Sequence, residues 1–257
     1  MARIAKIVAP GYPHHITQRG NRRQQTFFNE SDYSAYINLM AEWCERCGVE
    51  IWGYCLMPNH AHLITRPEKL DSLSSAIGEA HRRYSRMINF REGWRGYLWQ
   101  GRFSSFVMDE AHLIASIRYI ERNPVRAIDF HINNFTALSV GDILTVLSSS
   151  LWPCEINYLK IYKLVTDPGD YKWSSYNAHL TGKDDKLVKV GPLLQIAHSW
   201  KEFVEMPALE LEAESIRMHE RTGRPLANDI FIERLELEIG KSLRKKKPGP
   251  KCPRKKR

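Results

Sequence analysis

Residues 57–64 read MPNHAHLI and place two histidines one residue apart, directly after a Pro-Asn break. The apolar runs on either side, VEIWGYCLM and HAHLIT, are typical of two β-strands separated by a turn. Because side chains alternate faces along a strand, His60 and His62 should point to one face and Ala61 to the other. Two imidazoles on one face can bind a metal ion together. They can equally be hydrogen-bonded neighbours of the core, and the spacing alone leaves both interpretations open.

The segments around this pair alternate between strand and helix patterns. HHITQRG (14–20) predicts a strand, and NESDYSAYINLMAEWCERCG (29–48) predicts a helix capped by Ser31 and stopped by Gly48. SLSSAIGEAHRRYSRMINF (72–90) predicts a second helix, SSFVMD (104–109) a short strand, and EAHLIASIRYIER (110–122) a third helix that Pro124 ends. This order predicts an α+β fold: a ferredoxin-like antiparallel sheet with helices on one face, closing near residue 127.

Composition restricts the class of protein. With 257 residues, 43% of them hydrophobic, the chain can form one large domain or a domain with an appendage. It shows no secretory leader pattern and no apolar run near the ~20 residues of a membrane helix, so we expect a cytoplasmic protein. Five cysteines without a framework spacing fit a reducing compartment. Cys44 and Cys47 could join the histidines in a zinc finger, but the histidine spacing favours helix-packing thiols.

The net charge of +9 is unevenly distributed along the chain. Residues 244–257, RKKKPGPKCPRKKR, contain nine Lys and Arg and no acidic residue. Residues 1–127 contain 17 basic and 12 acidic side chains, whereas residues 128–243 contain 12 basic and 17 acidic ones. Binding to a polyanion is therefore expected from the N-terminal half and the tail.

A metal held by two histidines leaves coordination positions for a substrate phosphate, so the site requires a nucleophile. Tyr119 and Asn123, in RYIERNPV, are four residues apart and share one helical face. Asn123 can offer its carbonyl oxygen to the metal, and Tyr119 its phenol, which a neighbouring cation or metal would help to ionise. The alternative for Tyr119 is a packing tyrosine of an amphipathic helix. Tyr84, in HRRYSRM, is a rival nucleophile without a polar ligand nearby.

Three stretches together resemble the REP-associated tyrosine transposases, which belong to the single-tyrosine HUH transposase family: LMPNHAHLI, LWQGRFSSFVMDEAHLIASIRYIERNPVRA and DPGDYKWSSYNAHL. The resemblance covers most of residues 10–127, resumes near Leu164 and ends at about residue 182. It implies a transposase that cleaves and rejoins hairpin-associated single-stranded DNA through a covalent 5′-phosphotyrosine. The alternatives are a catalytically lapsed DNA-binding regulator on the same fold and a metal-dependent hydrolase that uses activated water.

The resemblance also implies roles for individual residues. Tyr119 falls on the nucleophile, His60 and His62 on the metal ligands, and Asn123 on the third polar ligand. The family implies Mg²⁺ or Mn²⁺, whereas imidazole ligands by themselves favour zinc or other transition ions. No small-molecule cofactor and no membrane partner are expected, and both a monomer and a homodimer remain open.

Residues expected to contact DNA are basic, amide or aromatic side chains that can bind phosphates or unpaired bases. For the candidates that precede the tail, the alternative to DNA contact is a solvated charged surface and a tryptophan packed in the core. The candidates are Arg19, Arg22 and Arg23 at the first turn; Arg82, Arg83 and Arg86 on the second helix; Trp99, Gln100 and Arg102 in LWQGRF; and Lys245, Lys246, Lys247 and Lys251 in the tail.

The C-terminal half departs from the family pattern. We predict a catalytic domain over 1–127, an insert over 128–162 that either packs as a subdomain or disturbs the fold, and a return of the catalytic domain over 163–182. A helical extension follows over 183–243, including an Asn- or Asp-capped helix in NDIFIERLELEI. The last segment, 244–257, is predicted to be a disordered tail that enters a minor groove or attracts DNA phosphates without sequence preference.

Overall fold

The computed structural model describes residues 6–126, 128–131, 160–197, 199–206 and 210–244. Most of the predicted insert and the four tail lysines, Lys245, Lys246, Lys247 and Lys251, lie outside these ranges. Within them, no helix combines the length and the apolar character needed to cross a membrane.

Four strands form one antiparallel sheet in the order β2-β3-β1-β4: β1 (His14–Arg19), β2 (Val49–Met57), β3 (His60–Pro67) and β4 (Ser104–Val107). β2 and β3 form a hairpin around the predicted Pro-Asn turn. On its other side, β3 pairs with β1 in a register that places Thr17 opposite His62 and Arg19 opposite His60. The predicted α+β fold with an antiparallel sheet is confirmed.

The helices follow the predicted order and continue into the C-terminal half. Helices α1 (Glu30–Arg46), α2 (Ser72–Glu92) and α3 (Glu110–Glu121) belong to the first half. β5 (Ile128–His131) and β6 (Lys160–Lys163) pair in a separate two-stranded antiparallel sheet. The remaining helices are α4 (Asn123–Arg126), α5 (Tyr176–Thr181), α6 (Gly191–Leu194), α7 (Trp200–Glu205), α8 (Glu210–Thr222) and α9 (Asp229–Ile239). The predicted domain boundaries remain predictions.

The two faces of the sheet are covered by different helices. Ile16, Ala61 and Leu63 pack with α1 and α2 in one apolar cluster. Ile64 and Phe106 belong to a second cluster, which contains side chains of α3 and of the C-terminal helices. Helices therefore cover both faces of the sheet, and the prediction that they lie on one face is wrong, because the C-terminal helices and α3 pack on the face that α1 and α2 leave open. We call this second face, which carries α3, α8 and the histidine pair, the site face. Ala61 points away from it, as the alternation predicts.

Two helix ends differ from their predicted positions. Asn29, not Ser31, caps α1, because its side-chain oxygen accepts from the backbone N–H of Asp32 at 3.1 Å. α3 ends at Glu121 instead of just before Pro124, and a separate short helix begins at Asn123. Proline at the second position of a helix lacks an N–H that would be unsatisfied there anyway, which suits a new helical turn. The predicted cap of α9 is confirmed at Asn228.

Candidate active site

The histidine pair lies at the start of β3, on the site face. The rings of His60 and His62 are 4.9 Å apart between centroids and nearly perpendicular. The His60 Nδ1 atom is 2.5 Å from the side-chain oxygen of Asn59, which orients that ring. Burial, assisted by the nearby charge of Arg19, lowers the pKa of His60 to about 3, and burial also lowers the pKa of His62. Both imidazoles are therefore neutral at physiological pH, the form that binds metals.

Tyr119 reaches the same place from α3. Its ring centroid is 5.9 Å from that of His62, with the two planes almost perpendicular. Burial, followed by the charge of Glu220, raises the pKa of the Tyr119 phenol, whereas Arg217 and Arg126 act in the opposite direction. The Arg126 guanidinium also lies over the phenol ring, 5.4 Å from its centroid. The phenol is therefore protonated in the metal-free protein, and two cations lie beside it.

Two buried polar atoms at the proposed metal ligands have no hydrogen-bond partner among the described residues. They are His62 Nε2 and the amide nitrogen of Asn123. Buried polar groups are normally satisfied, and unsatisfied ones in a native structure call for a ligand, an ion or water. The residues present thus fit a bound cation through His62 Nε2, whereas the Asn123 amide nitrogen is a donor that calls for an acceptor such as a phosphate oxygen.

Three residues that the sequence interpretation did not select complete the site. His15 Nε2 is 3.0 Å from His62 Nδ1, and the Thr17 hydroxyl donates to Glu220 Oε1 at 3.0 Å. Glu220 Oε1 is 3.5 Å from His62 Nδ1 and 3.9 Å from His15 Nε2. Within the described residues, His15, His62 and Glu220 form the one group of three or more His, Cys, Asp or Glu side chains close enough to hold a metal ion.

The reasons for missing these residues differ. His15, Thr17 and Arg19 are every second residue of β1, so their side chains share one face of the strand. That face could have been identified from the sequence once β1 was paired with β3. Glu220 comes from α8, 203 residues along the chain from Thr17. No local pattern connects the two segments.

The first-turn arginines separate into two kinds. Arg19 is half-buried at the site, where burial lowers its pKa and the charges of Glu220 and Tyr119 act against that shift. Arg22 and Arg23 are exposed and lie in a short 3₁₀ helix, both with positive φ angles of 53° and 61°. Arg19 therefore belongs to the site itself, and Arg22 and Arg23 to the adjoining surface.

The predicted arginines of α2 lie on an exposed face far from the site face. Arg82 and Arg83 both form ion pairs with Glu79. Together with Arg86, Met87 and Phe90 they line a surface depression of about 460 Å³. Phe90 is 90% exposed.

The LWQGRF stretch is divided between core and surface. Trp99 is buried, and its ring packs against His81 and Tyr84 with centroids 5.0 and 5.9 Å away. Trp99 is therefore a packed tryptophan, which was the alternative to a base-stacking role, and the faces of its ring are covered. Gln100 and Arg102 are exposed, and the Gln100 backbone N–H donates to the carbonyl oxygen of Arg19.

The rival nucleophile and the cysteine pair belong to the opposite face of the sheet. The Tyr84 hydroxyl is buried and donates to the backbone carbonyl of Thr26 at 2.8 Å, while burial raises its pKa. Cys44 packs in the α1–α2 cluster, and both Cys44 and Cys47 are free thiols. Neither feature has access to His62.

A second buried carboxylate holds α3 in place. Glu121 Oε1 accepts from the Ser175 hydroxyl at 2.5 Å and from His179 Nδ1 at 2.8 Å, and Glu121 Oε2 accepts from the Trp200 indole at 2.8 Å. These donors all come from the C-terminal half. Because Glu121 lies two residues after Tyr119, this network fixes the end of α3 that carries the phenol.

Comparison with known proteins agrees with this architecture. Residues 10–123 match the family model described as transposase IS200 like. The region that carries the sheet, the histidine pair and Tyr119 is therefore the part of the chain that matches the IS200-like transposase family model. The family resemblance inferred from the sequence motifs is confirmed.

Two solved structures are similar to the chain. The REP-associated tyrosine transposase bound to a REP hairpin superposes with a TM-score of 0.50 at 18% identity, covering 74% of this chain and 92% of that one. This similarity shows a shared fold. A protein from Deinococcus radiodurans, described as a transposase, has a TM-score of 0.34 at 20% identity over 48% of this chain and 97% of that one, too low to bear on the fold. Curated protein sequences include no match to this chain.

Proposed function

We propose that this protein is a transposase that cleaves and rejoins hairpin-associated single-stranded DNA through a covalent 5′-phosphotyrosine at Tyr119. A divalent metal, Mg²⁺ or Mn²⁺, would be held by His60, His62 and Asn123. The observation that carries the proposal is the position of the Tyr119 phenol, whose ring lies 5.9 Å from that of His62 on the site face. The similar REP-associated structure is bound to a hairpin, which supports hairpin DNA as the partner.

The reaction exchanges one phosphodiester for another. Tyr119 Oη forms a bond to the scissile phosphorus while the bond from phosphorus to the 3′ oxygen breaks, and the phenol proton ends on the released 3′-hydroxyl. A bound divalent cation would polarise the phosphate oxygens. Because the phosphotyrosine conserves the phosphodiester bond energy, a second 3′-hydroxyl can reverse the step without ATP.

The surroundings of Tyr119 suit an anionic substrate. Arg19, Arg126 and Arg217 place positive charge beside the phenol, and a phosphate bound there would be attracted by all three. The Tyr119 side chain is only half-buried, so a phosphate can reach the phenol. These side chains bind and orient the phosphate, while His60, His62 and Asn123 would hold the cation.

The DNA would extend over the exposed basic residues around the site. Arg22 and Arg23 project from the turn after β1, and Gln100 and Arg102 come from the segment that pairs with the end of β1. These four residues can bind phosphates and unpaired bases. The α2 group, Arg82, Arg83 and Arg86, would contribute on a separate surface, and the tail lysines by charge attraction.

A covalent adduct tests the proposal. The protein is incubated with a labelled hairpin carrying a single-stranded flank, with Mg²⁺ or Mn²⁺, and the products are separated on denaturing gels. We expect a protein–DNA adduct that disappears in Tyr119→Phe and persists in the control Tyr97→Phe, whose side chain is exposed. Cleavage without an adduct would instead identify a hydrolase, and hairpin binding without cleavage a DNA-binding regulator.

The tail has its own test. Deleting residues 244–257 removes nine basic side chains, so we expect weaker DNA binding and a flatter dependence of affinity on salt. Each lost phosphate contact to a single strand lowers the slope of log affinity against log salt by about 0.7. An unchanged slope in equilibrium binding titrations between low and high salt would exclude a DNA-binding tail.

A further inference from the structure

We propose that His15, His62 and Glu220 form a second metal site, suited to a transition ion such as Zn²⁺, which connects α8 to the sheet. This site uses His62 Nδ1, whereas the proposed catalytic cation would use His62 Nε2. The inference goes beyond the proposed function and does not require cleavage chemistry at Tyr119.

The three candidate ligand atoms have the separations that a bound ion needs. His15 Nε2, His62 Nδ1 and Glu220 Oε1 are 3.0, 3.5 and 3.9 Å from one another. Atoms at these separations are all reached from one point about 2.0 Å away, which is the usual zinc–nitrogen and zinc–carboxylate bond length. The two longer separations exceed ordinary hydrogen bonds between these groups. The shortest separation, between the two imidazoles, is that of a hydrogen bond, which an ion at the centre would replace.

The donor set favours a transition ion over Mg²⁺. Two imidazole nitrogens and one carboxylate oxygen match zinc sites with three protein ligands and an open position, whereas Mg²⁺ requires mainly oxygen ligands in octahedral geometry. Thr17, which donates to Glu220 Oε1, would orient the carboxylate from outside the coordination shell.

The two histidines of the cluster are buried, and only one nitrogen of each ring faces the proposed ion. Each ring keeps its other nitrogen without a partner among the described residues: His15 Nδ1 and His62 Nε2. The proposed ligand atoms, His15 Nε2 and His62 Nδ1, instead face each other and Glu220, where a divalent cation would replace the contact between the two rings.

His62 would be a ligand of both the proposed catalytic cation and the proposed second ion. Simultaneous occupancy would make its imidazole a bridging ligand, and the ring proton would be released to solvent. The ligands of the second site come from β1, β3 and α8, so an ion there would fix α8, and with it Arg217, next to Tyr119.

Cobalt spectroscopy separates the two sites. Metal-stripped full-length protein is titrated with Co²⁺ without DNA, because four-coordinate Co²⁺ absorbs visible light far more strongly than six-coordinate Co²⁺. We expect an intense band that Zn²⁺ displaces. The band should persist within about twofold in affinity in His60→Ala, and weaken more than about 10-fold in Glu220→Gln, since even residues outside the coordination shell contribute 10–100-fold.

Matched variants keep loss of binding distinct from loss of folding. Glu220→Gln retains an oxygen that accepts from Thr17, and His15→Phe retains an aromatic ring against Phe106, which lies 5.0 Å away between centroids. Zn²⁺ should raise the unfolding temperature of the wild type and of His60→Ala, but not of Glu220→Gln or His15→Phe, whose circular dichroism should match the wild type.

Other outcomes would overturn the inference. An absent intense band, or a band lost in His60→Ala and retained in Glu220→Gln, would place the ion elsewhere. Tyr119→Phe should keep the cobalt band whether or not the wild type forms a DNA adduct. A failure of the second site is therefore distinguishable from a failure of the proposed cleavage chemistry.

Discussion

Two glutamates lie beside histidines in this molecule, Glu121 fully buried and Glu220 partly buried, and their surroundings differ. Glu121 receives three donated hydrogen bonds, from Ser175, His179 and Trp200. Glu220 receives one side-chain hydrogen bond, from Thr17, and lies at longer distances from two imidazoles. The carboxylate of Glu121 is satisfied by direct hydrogen bonds, whereas that of Glu220 has the bond from Thr17 and the charges of Arg19, Arg217 and Arg221 nearby. The number of hydrogen bonds that a carboxylate accepts from the protein thus distinguishes a structural carboxylate from one that can bind a ligand.

The two clusters also connect the C-terminal half to the sheet at different places. The Glu121 cluster, formed with Ser175, His179 and Trp200, attaches these three residues to the end of α3. The Glu220 cluster, formed with His15 and His62, attaches α8 to β1 and β3. Both connections converge on Tyr119, the first through the helix that carries it and the second through the charges around its phenol. The two clusters should therefore respond oppositely to mutation: Glu121 variants should lose stability, and Glu220 variants should lose metal binding.

The largest effect is expected from Glu121→Ala. It leaves three buried donors without their acceptor, and removing one partner from a buried ionic network typically costs about 3–5 kcal/mol. Urea unfolding should show this loss, together with loss of any DNA adduct because α3 is no longer fixed. The exposed Glu110→Ala on the same helix should change stability far less. If Glu121→Ala unfolds at nearly the wild-type urea concentration, the network is not structural.

An intermediate effect is expected from Trp200→Phe. In the wild type the Trp200 ring stacks on His179 with centroids 4.1 Å apart, and a phenylalanine ring can still stack there. The indole N–H that donates to Glu121 Oε2 is lost. A buried charged acceptor deprived of one hydrogen bond costs about 1.5–3 kcal/mol. Denaturant unfolding checks the value, with Trp94→Phe as the control because Trp94 is 43% exposed. Equal losses in the two variants would assign the effect to ring size instead of the hydrogen bond.

The difference between the clusters also determines what could be predicted from the sequence. Strand alternation and the Pro-Asn break were sufficient to place His60 and His62 on one face and Ala61 on the other, because that information is local. Helical spacing linked Tyr119 only to Asn123, and the expectation that Tyr119 lies beside the histidines came from the family resemblance. Glu121 and Glu220 could not be assigned, since their partners are fixed only by tertiary packing between distant segments. The burial of Trp99 was likewise a tertiary property, set by α2.

The smallest effect on stability is expected from Glu220→Gln in the metal-free protein. Burial raises the pKa of Glu220, so its charged form is disfavoured in the folded state, and a neutral amide removes that penalty. Unfolding in urea with a chelator should therefore give a stability within about 1 kcal/mol of the wild type. Glu212→Gln on the same helix, which loses an ion pair with Arg118, provides the comparison. A loss above about 2 kcal/mol would mean that Glu220, like Glu121, is satisfied within the protein and needs no ion.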